Sequence, residues 1–176
     1  MKNKRLLFSA ILLVFSLALN SCQMLDLYLQ DPSITPDEAI VYSLINRLLQ
    51  SIENDDRKAF SELFSIEARR NATSFDNTID ELFAYYSEPH ESIEIDYGPV
   101  VCSSRDYDYH TSDYYFGTII KTATKVFHFC GEYRRIDTNE AERIGIWCLY
   151  VSQNPDSIDM WFDDGGDNPA GVIIKD

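Results

Sequence analysis

The sequence is poor in basic residues. Its 176 residues hold 15 Lys and Arg against 29 Asp and Glu, which gives a formal net charge of −14 at pH 7. Three of the basic residues, Lys2, Lys4 and Arg5, lie at the N-terminus, so the rest of the chain is more acidic still. Such a surface repels phosphate backbones and anionic lipid headgroups. We therefore exclude nucleic acid as a partner, and we attribute the acidity to solubility.

Cysteine is also scarce, and it lacks the spacing of a metal or redox motif. No two of Cys22, Cys102, Cys130 and Cys148 form a C-x-x-C pair, which excludes a zinc knuckle and a thioredoxin-like site. The last three lie in apolar stretches, where cysteine behaves as a small hydrophobic residue. We expect three buried thiols. A bridge between Cys130 and Cys148 stays open as an alternative, because their strands are expected to be neighbours.

The N-terminus has the pattern of an export signal. Basic residues precede the apolar run Leu6–Leu19, which is too short to span a bilayer comfortably. The sequence Leu19-Asn20-Ser21-Cys22 resembles the lipobox of bacterial lipoproteins, in which the cysteine is acylated and becomes the mature N-terminus. The resemblance implies a signal peptide at residues 1–21, lipid attachment at Cys22 and a tether over residues 22–34. The alternative is an ordinary secretory signal followed by an unrelated cysteine.

If the cysteine is acylated, the protein is held at the extracytoplasmic face of a cell membrane, with membrane lipid as its first partner. Residues 35–176 then remain, and their number predicts a single domain. That length is sufficient for a hydrophobic core without disulfide bonds.

The first part of this domain has helical periodicity. Thr35 and Glu38 fit a capping box around Pro36, and apolar residues recur at helical spacing as far as Ile52. The predicted helices are Thr35–Asn54, Arg57–Phe64 and Ser74–Tyr86.

The hydrophobic period then changes from 3.6 to 2, which predicts strands. The stretch Ile144–Val151 is almost continuously apolar, which is typical of a central strand covered on both faces. Ser103–Asp113 is polar and is predicted to be a loop. The predicted strands are Ile93–Cys102, Tyr115–Lys121, Lys125–Ile136, Ile144–Val151 and Gly171–Lys175.

Helices followed by strands predict an α+β fold, with the helices packed on one face of a curved antiparallel sheet. In the strand Lys125–Ile136, Phe127 and Phe129 point to one face, while Val126 and Cys130 point to the other. One face packs against the helices. The second face is expected to line a cavity, meet a partner or be covered by the C-terminal segment.

This order of elements resembles the nuclear transport factor 2-like superfamily, and more narrowly a family of uncharacterised bacterial lipoproteins with that fold. The resemblance covers residues 38–175, although a glycine expected within Ser87–His90 is missing. It implies N-terminal helices that lean across a strongly curved sheet and enclose a cone-shaped pocket. The narrower family has no established catalytic residues, so the resemblance implies none. The superfamily contains enzymes and binding modules alike, so the fold does not choose between these functions. The segments that carry the resemblance are Ile52–Asp56, Phe60–Ser65, Ile79–Tyr86, Ile144–Ile146 and Pro169–Ile174.

Two acidic stretches have some features of a calcium loop. Residues 106–113 present Asp106, Asp108 and Asp113 with His110, but the glycine and the glutamate that complete such a loop are missing. Residues 163–168 are a second stretch of this kind, and their glycines suit a plain turn. We expect both to be solvated loops, and we assign no metal and no cofactor.

No catalytic motif is recognisable, since His90, His110 and His128 are far apart in the sequence. His128 could act as a general base, oriented by Asp96 or a tyrosine, if its face of the strand lines a pocket. A buried, hydrogen-bonded histidine is the simpler interpretation. The candidates for a ligand pocket are therefore Asp96, His128 and Cys130, and none is assigned a catalytic role.

The expected function is a non-catalytic module that binds a small molecule or a protein. The alternative is a small pocket enzyme, of the isomerase or hydrolase type, that uses His128 and Asp96. A third hypothesis is a structural envelope protein whose sheet face dimerises.

Overall fold

The structure is a computed structural model, and it describes residues 34–106, 108–154 and 169–175. The chain divides into two compact units, Met1–Ser43 and Leu44–Asp176, and the border falls inside the first helix.

Several predictions fall outside the described residues. These are the signal peptide at residues 1–21, lipid attachment at Cys22, the tether up to residue 33 and the acidic stretch 163–168. Within the described part of the chain, no helix combines the length and the hydropathy that a membrane crossing requires.

Helices precede the sheet in the described chain, as predicted. Their bounds are α1 Pro36–Glu53, α2 Arg57–Ser61, α3 Ile66–Asn71 and α4 Phe75–Tyr85.

The predicted capping box of α1 is confirmed. The Glu38 N–H donates to Thr35 Oγ1 at 3.2 Å, and the Thr35 N–H donates to Glu38 Oε2 at 2.6 Å. Each residue thus satisfies a backbone donor of the other. The helix ends before Asp55, whose φ of 56° lies in the left-handed region. Its buried apolar residues in the second unit are Leu44, Ile45, Leu48, Leu49 and Ile52.

The helix predicted over Arg57–Phe64 is correct only as far as Ser61, and α3 is an additional helix. The chain leaves the helix because Phe64 forms a parallel bridge with Ile146 of the sheet. The Ser65 N–H donates to the Ile146 carbonyl at 3.0 Å. The Ser65 hydroxyl then accepts from the Ala68 N–H at 3.0 Å and caps α3. A pairing with a distant strand therefore overrides the local helical pattern.

Five strands form one open, curved sheet in the order β1-β2-β3-β4-β5. Strands β1 to β4 are antiparallel to their neighbours, whereas β5 is parallel to β4. The α+β class is confirmed, and the expectation of an entirely antiparallel sheet is wrong for β5. The bounds are β1 His90–Asp106, β2 Tyr109–Thr122, β3 Val126–Asp137, β4 Gly145–Ser152 and β5 Gly171–Lys175.

The loop predicted over Ser103–Asp113 is wrong, because β1 and β2 continue into a hairpin there. The register pairs Ser103 with Ser112 and Cys102 with Asp113. Ser112 and Asp113 are buried although both are polar. The Ser103 hydroxyl donates to the Ser112 hydroxyl at 3.3 Å, so pairing across the hairpin satisfies polar groups that a sequence pattern assigns to solvent.

The two faces of the sheet have different surroundings. Phe127 and Phe129 of β3 contact Tyr86 at the end of α4, with ring centroids 4.9 and 5.9 Å apart. We call this the helix-facing side. His128 and Cys130 alternate with the two phenylalanines and point to the opposite side, as predicted. We call that side the open face, and it carries Tyr97, Val100, Tyr115, Ile119, His128 and Cys130.

Candidate functional site

The open face presents two of the three predicted pocket residues side by side. His128 and Cys130 lie two residues apart on β3, and both are half-buried. In the sheet register, His128 lies opposite Ile119 of β2, and Cys130 lies opposite Gly117.

Exposure on the open face increases from β4 to β1. Cys148 and Tyr150 of β4 are 0% and 4% exposed, whereas Tyr97 and Val100 of β1 are 45% and 41% exposed. The open face is therefore a surface that is accessible along β1 and becomes part of the interior at β4.

Gly117 allows the strands of the open face to carry large groups close together. A Cβ atom at this position would lie 3.2 Å from Tyr97 Cβ and 3.4 Å from Cys130 Sγ. Because the glycine has no side chain, Tyr97 and Cys130 approach each other across β2. The result is an apolar centre made of a tyrosine ring and a thiol, with Glu94 and Glu132 on the same side of the sheet by register.

Asp96 does not complete a catalytic pair with His128. It is exposed and lies where the β1 register shifts, between Ile95 and Tyr97. Within residues 34–106 and 108–154, no hydrogen bond or ion pair joins Asp96 to His128. The hypothesis of a general base oriented by Asp96 thus lacks the contact that it requires.

Asp96 instead influences the third candidate, Cys130. Burial raises the pKa of the Cys130 thiol to about 12, a backbone hydrogen bond at Thr118 opposes the rise, and the negative charge of Asp96 adds to it. The thiol is therefore protonated at neutral pH. A protonated thiol is a weak nucleophile and suits an apolar contact better than covalent chemistry.

All three cysteines of the described chain are free. The Cys130–Cys148 alternative fails on register, since Cys130 lies opposite Tyr150 while Cys148 lies opposite Glu132. The expectation of buried thiols is correct for Cys148, holds in part for Cys130 and is wrong for Cys102, which is exposed on β1. Among the described residues β1 has its extensive contacts with β2 alone, so Cys102 is not covered by a second layer.

The described residues of the acidic stretch, 106 and 108–113, lie in the β1–β2 hairpin. Asp113 is buried, and both of its carboxylate oxygens accept hydrogen bonds from the guanidinium of Arg134. Asp108 is exposed. Among the described residues, no group of three or more His, Cys, Asp or Glu is arranged to hold a metal ion.

A charged cleft of about 200 Å³ lies where α3 meets the end of β3 and β4. Arg143 binds Glu67 at 2.9 Å and Glu140 at 2.9 Å. Arg134 binds Asp113, and its Nη1 lies 3.4 Å from Asp137. Sequence analysis misses this network because the partners are separated by up to 76 residues. Since its arginines are already paired with carboxylates, the cleft joins α3 to the sheet. Its lining residues are Glu67, Glu132, Arg134, Arg143 and Trp147.

Comparison with known proteins gives one family. No curated protein matches the chain. A family model described as a domain of unknown function matches residues 47–155, from the middle of α1 to just beyond β4. This range includes Asp96, His128, Cys130 and the charged cleft, and it covers more than half of the sequence. The chain therefore belongs to the family "Domain of unknown function (DUF5104)".

Proposed function

We propose that this protein is an exported, lipid-anchored module that binds a small molecule or a protein through the open face of its sheet and catalyses no reaction. The observation that carries the proposal is the open face itself. It offers an accessible tyrosine and valine on β1, beside the half-buried His128 and Cys130. An accessible apolar surface of this kind is typical of a binding site.

The absence of a His128–Asp96 contact among the described residues favours binding over the isomerase or hydrolase alternative. The neutral Cys130 thiol has the same implication. The anchor is supported by the sequence Leu19-Asn20-Ser21-Cys22, which resembles a lipobox. Acylation with two or more chains would give stable attachment.

We assign the nuclear transport factor 2-like fold as part of the same proposal. Helices before a meander of four antiparallel strands, with aromatic contacts between α4 and β3, are its support. An experimental structure tests it: a conical cavity beneath the helices agrees with the assignment, and a fully packed interface contradicts it.

The anchor is tested by expressing the full-length chain in a bacterium and separating membrane from soluble fractions. We expect wild type in the membrane fraction with an acylated N-terminal peptide in its mass spectrum. Cys22→Ala should lose the acyl mass and leave the membrane, whereas Cys102→Ala should behave as wild type. An unmodified Cys22 in the mature wild-type protein would contradict the anchor.

Binding is tested by a melting-temperature screen of the full-length chain in detergent against metabolites, sugars and peptides. A ligand at about 100 times its dissociation constant stabilises the folded state by about 2.7 kcal/mol, which raises the midpoint by several degrees. Tyr97→Ala should abolish the shift. Val101→Ala is the matched control, because Val101 is a comparably exposed residue of β1 on the other side of the sheet. A shift that both variants retain would place the ligand elsewhere.

A further inference from the structure

Two exposed isoleucines lie close together where α3 meets the segment that leads into β4. Ile66, the first residue of α3, is 45% exposed, and Ile144, just before β4, is 42% exposed. Ile66 and Arg70 lie on the same face of α3, because they are four residues apart. Arg70 binds Glu142 at 3.2 Å, so this face borders the short 3-10 helix Ala141–Arg143, which Ile144 follows.

Backbone contacts hold these two segments together. The Ser65 N–H donates to the Ile146 carbonyl at 3.0 Å, and the Ile146 N–H donates to the Leu63 carbonyl at 2.9 Å. A Cβ atom on Gly145 would lie 2.6 Å from the Ser65 backbone nitrogen, so the two segments pass each other at close range. The backbone on each side of the isoleucines is therefore fixed before any partner arrives, which lowers the entropy cost of a contact.

The charged cleft lies directly beside the two isoleucines. Glu67 and Arg143, which line the cleft, are the sequence neighbours of Ile66 and Ile144. The half-buried Trp147 lines it as well. With a volume of about 200 Å³, the cleft admits one long side chain. We call the charged cleft, together with Ile66 and Ile144 at its rim, the α3 surface.

Negative charge exceeds positive charge in the charged cleft. Each of its two arginines, Arg134 and Arg143, is already bound by two carboxylates. Glu132 lines the cleft in addition. The cleft therefore attracts a positive charge and repels a negative one. A partner that fits it has to bring a cation.

We propose that the α3 surface docks a basic segment of another protein. A lysine or arginine of that segment enters the charged cleft, and a neighbouring apolar side chain covers Ile66 and Ile144. Trp147 lines the same cleft, and an indole ring is the aromatic group that attracts a cation most strongly. Single exposed apolar residues are ordinary, whereas an apolar pair beside a cleft that holds a tryptophan has the composition of a binding hot spot.

The acidity of the whole chain is the competing explanation for any attraction of basic peptides, and Val126 supplies a matched control. Val126 of β3 is 42% exposed, as is Ile144. It follows Lys125 and lies opposite Lys121 in the register, so its surroundings are basic. If basic peptides bind only through the net charge of −14, substitutions at Val126 and Ile144 should have the same effect.

The test starts from a display library of random dodecapeptides, selected at physiological salt on the full-length chain in detergent. We expect the enriched peptides to carry lysine or arginine close to leucine, isoleucine or phenylalanine. The affinity of one enriched peptide, synthesised with a fluorescent label, is then measured by anisotropy. Trp147→Ala should weaken binding more than about tenfold, and Ile144→Ser and Ile66→Ser about threefold each. Val126→Ser should leave the affinity unchanged.

Three results would overturn the proposal: no enriched peptide or enriched peptides without lysine and arginine, unchanged affinity in Ile144→Ser and Trp147→Ala, or an equal loss in Val126→Ser and Ile144→Ser. Because Ile144 is exposed, Ile144→Ser decides the question even if Trp147→Ala does not fold. Tyr97→Ala on the open face should bind the peptide as wild type does, so the α3 surface and the proposed function succeed or fail separately.

Discussion

Strands β1 and β4 contain similar short apolar segments, but the two segments have opposite environments. Leu149 and Val151 of β4 are fully buried, whereas Val100 and Val101 of β1 are 41% and 37% exposed. The cause is the packing around each strand. Helix α3 packs against β4, which also lies between β3 and β5, whereas among the described residues β1 has its extensive contacts with β2 alone. Apolar sequence therefore predicts a strand, and the elements that pack on that strand decide whether it stabilises the fold or is available for binding.

The largest expected difference between the two strands is in thiol reactivity. Cys102 of β1 is exposed, while burial first, and then the charge of Glu132, raises the pKa of Cys148 in β4 to about 12. At pH 8 only about one Cys148 thiol in ten thousand is ionised. Maleimide labelling followed by peptide mass spectrometry should modify Cys102 at least about a thousandfold faster.

Labelling in denaturant is the control, because the difference should disappear when the fold is lost. Raising the pH towards 12 should increase the reaction of Cys148 if the fold persists, since its thiolate population rises. Rapid labelling of native Cys148 at pH 8 would show that β4 is not the interior strand of the sheet.

The second difference between β4 and β1 is in the loss of stability when an apolar side chain is truncated. Leu149→Ala should lower the free energy of unfolding by about 2 to 5 kcal/mol, because it removes apolar contacts and leaves a cavity. Val101→Ala should cost less than about 1 kcal/mol, since much of that side chain already contacts water. Urea unfolding monitored by circular dichroism measures both, and similar values for the two variants would contradict the comparison.

The loss of stability when an ion pair is removed should likewise be larger for the buried pair than for the exposed pair on β1. Asp113 of β2 forms an ion pair with Arg134 of β3, and its side chain is 11% exposed. Glu94 of β1 forms an ion pair with Lys121 of β2, and its side chain is 61% exposed. Asp113→Ala should cost about 1 to 3 kcal/mol, because it leaves a half-buried guanidinium without its hydrogen-bonded partner. Glu94→Ala should cost less than about 1 kcal/mol, and addition of salt should reduce that cost further.

A smaller effect on stability, which depends on pH, is expected at Glu88, just before β1. Hydrogen bonds from Thr124 and Thr122 lower the pKa of the Glu88 carboxyl. Since the folded pKa is below the unfolded one, the ionised carboxylate stabilises the fold above the unfolded pKa, and this stability is lost as pH falls through the folded value. The melting temperatures of wild type and Glu88→Gln should therefore differ at pH 7 and converge towards pH 3. A difference that grows on acidification would contradict the assignment.

Elements whose pattern depends on neighbouring residues could be predicted from the sequence. The capping box at Thr35, the apolar stripe of α1 and the buried strand β4 are of this kind, because periodicity and capping are properties of adjacent positions. The placement of His128 and Cys130 on the side of β3 that faces away from the helices could also be predicted, since alternation along a strand follows from backbone geometry.

The predictions were wrong where distant residues decide the structure. The polar residues Ser112 and Asp113 lie in a strand because β1 and β3 pair with both of their edges. The end of α2 is set by the bridge between Phe64 and Ile146. The charged cleft joins Glu67 of α3 to Arg143, which is 76 residues later in the chain, and no motif of neighbouring residues connects the two.

The class of the fold, the acidic character of the protein and the expectation of export at Cys22 follow from the order and composition of neighbouring residues. These properties can be read without knowing which distant residues are in contact. Three features became known only from the folded chain: which apolar strand is exposed, that no contact joins Asp96 to His128 among the described residues, and which arginines pair with carboxylates. The physical reason is that hydrogen bonds, burial and electrostatic interactions depend on distance in space, and the fold brings together residues that are far apart along the chain.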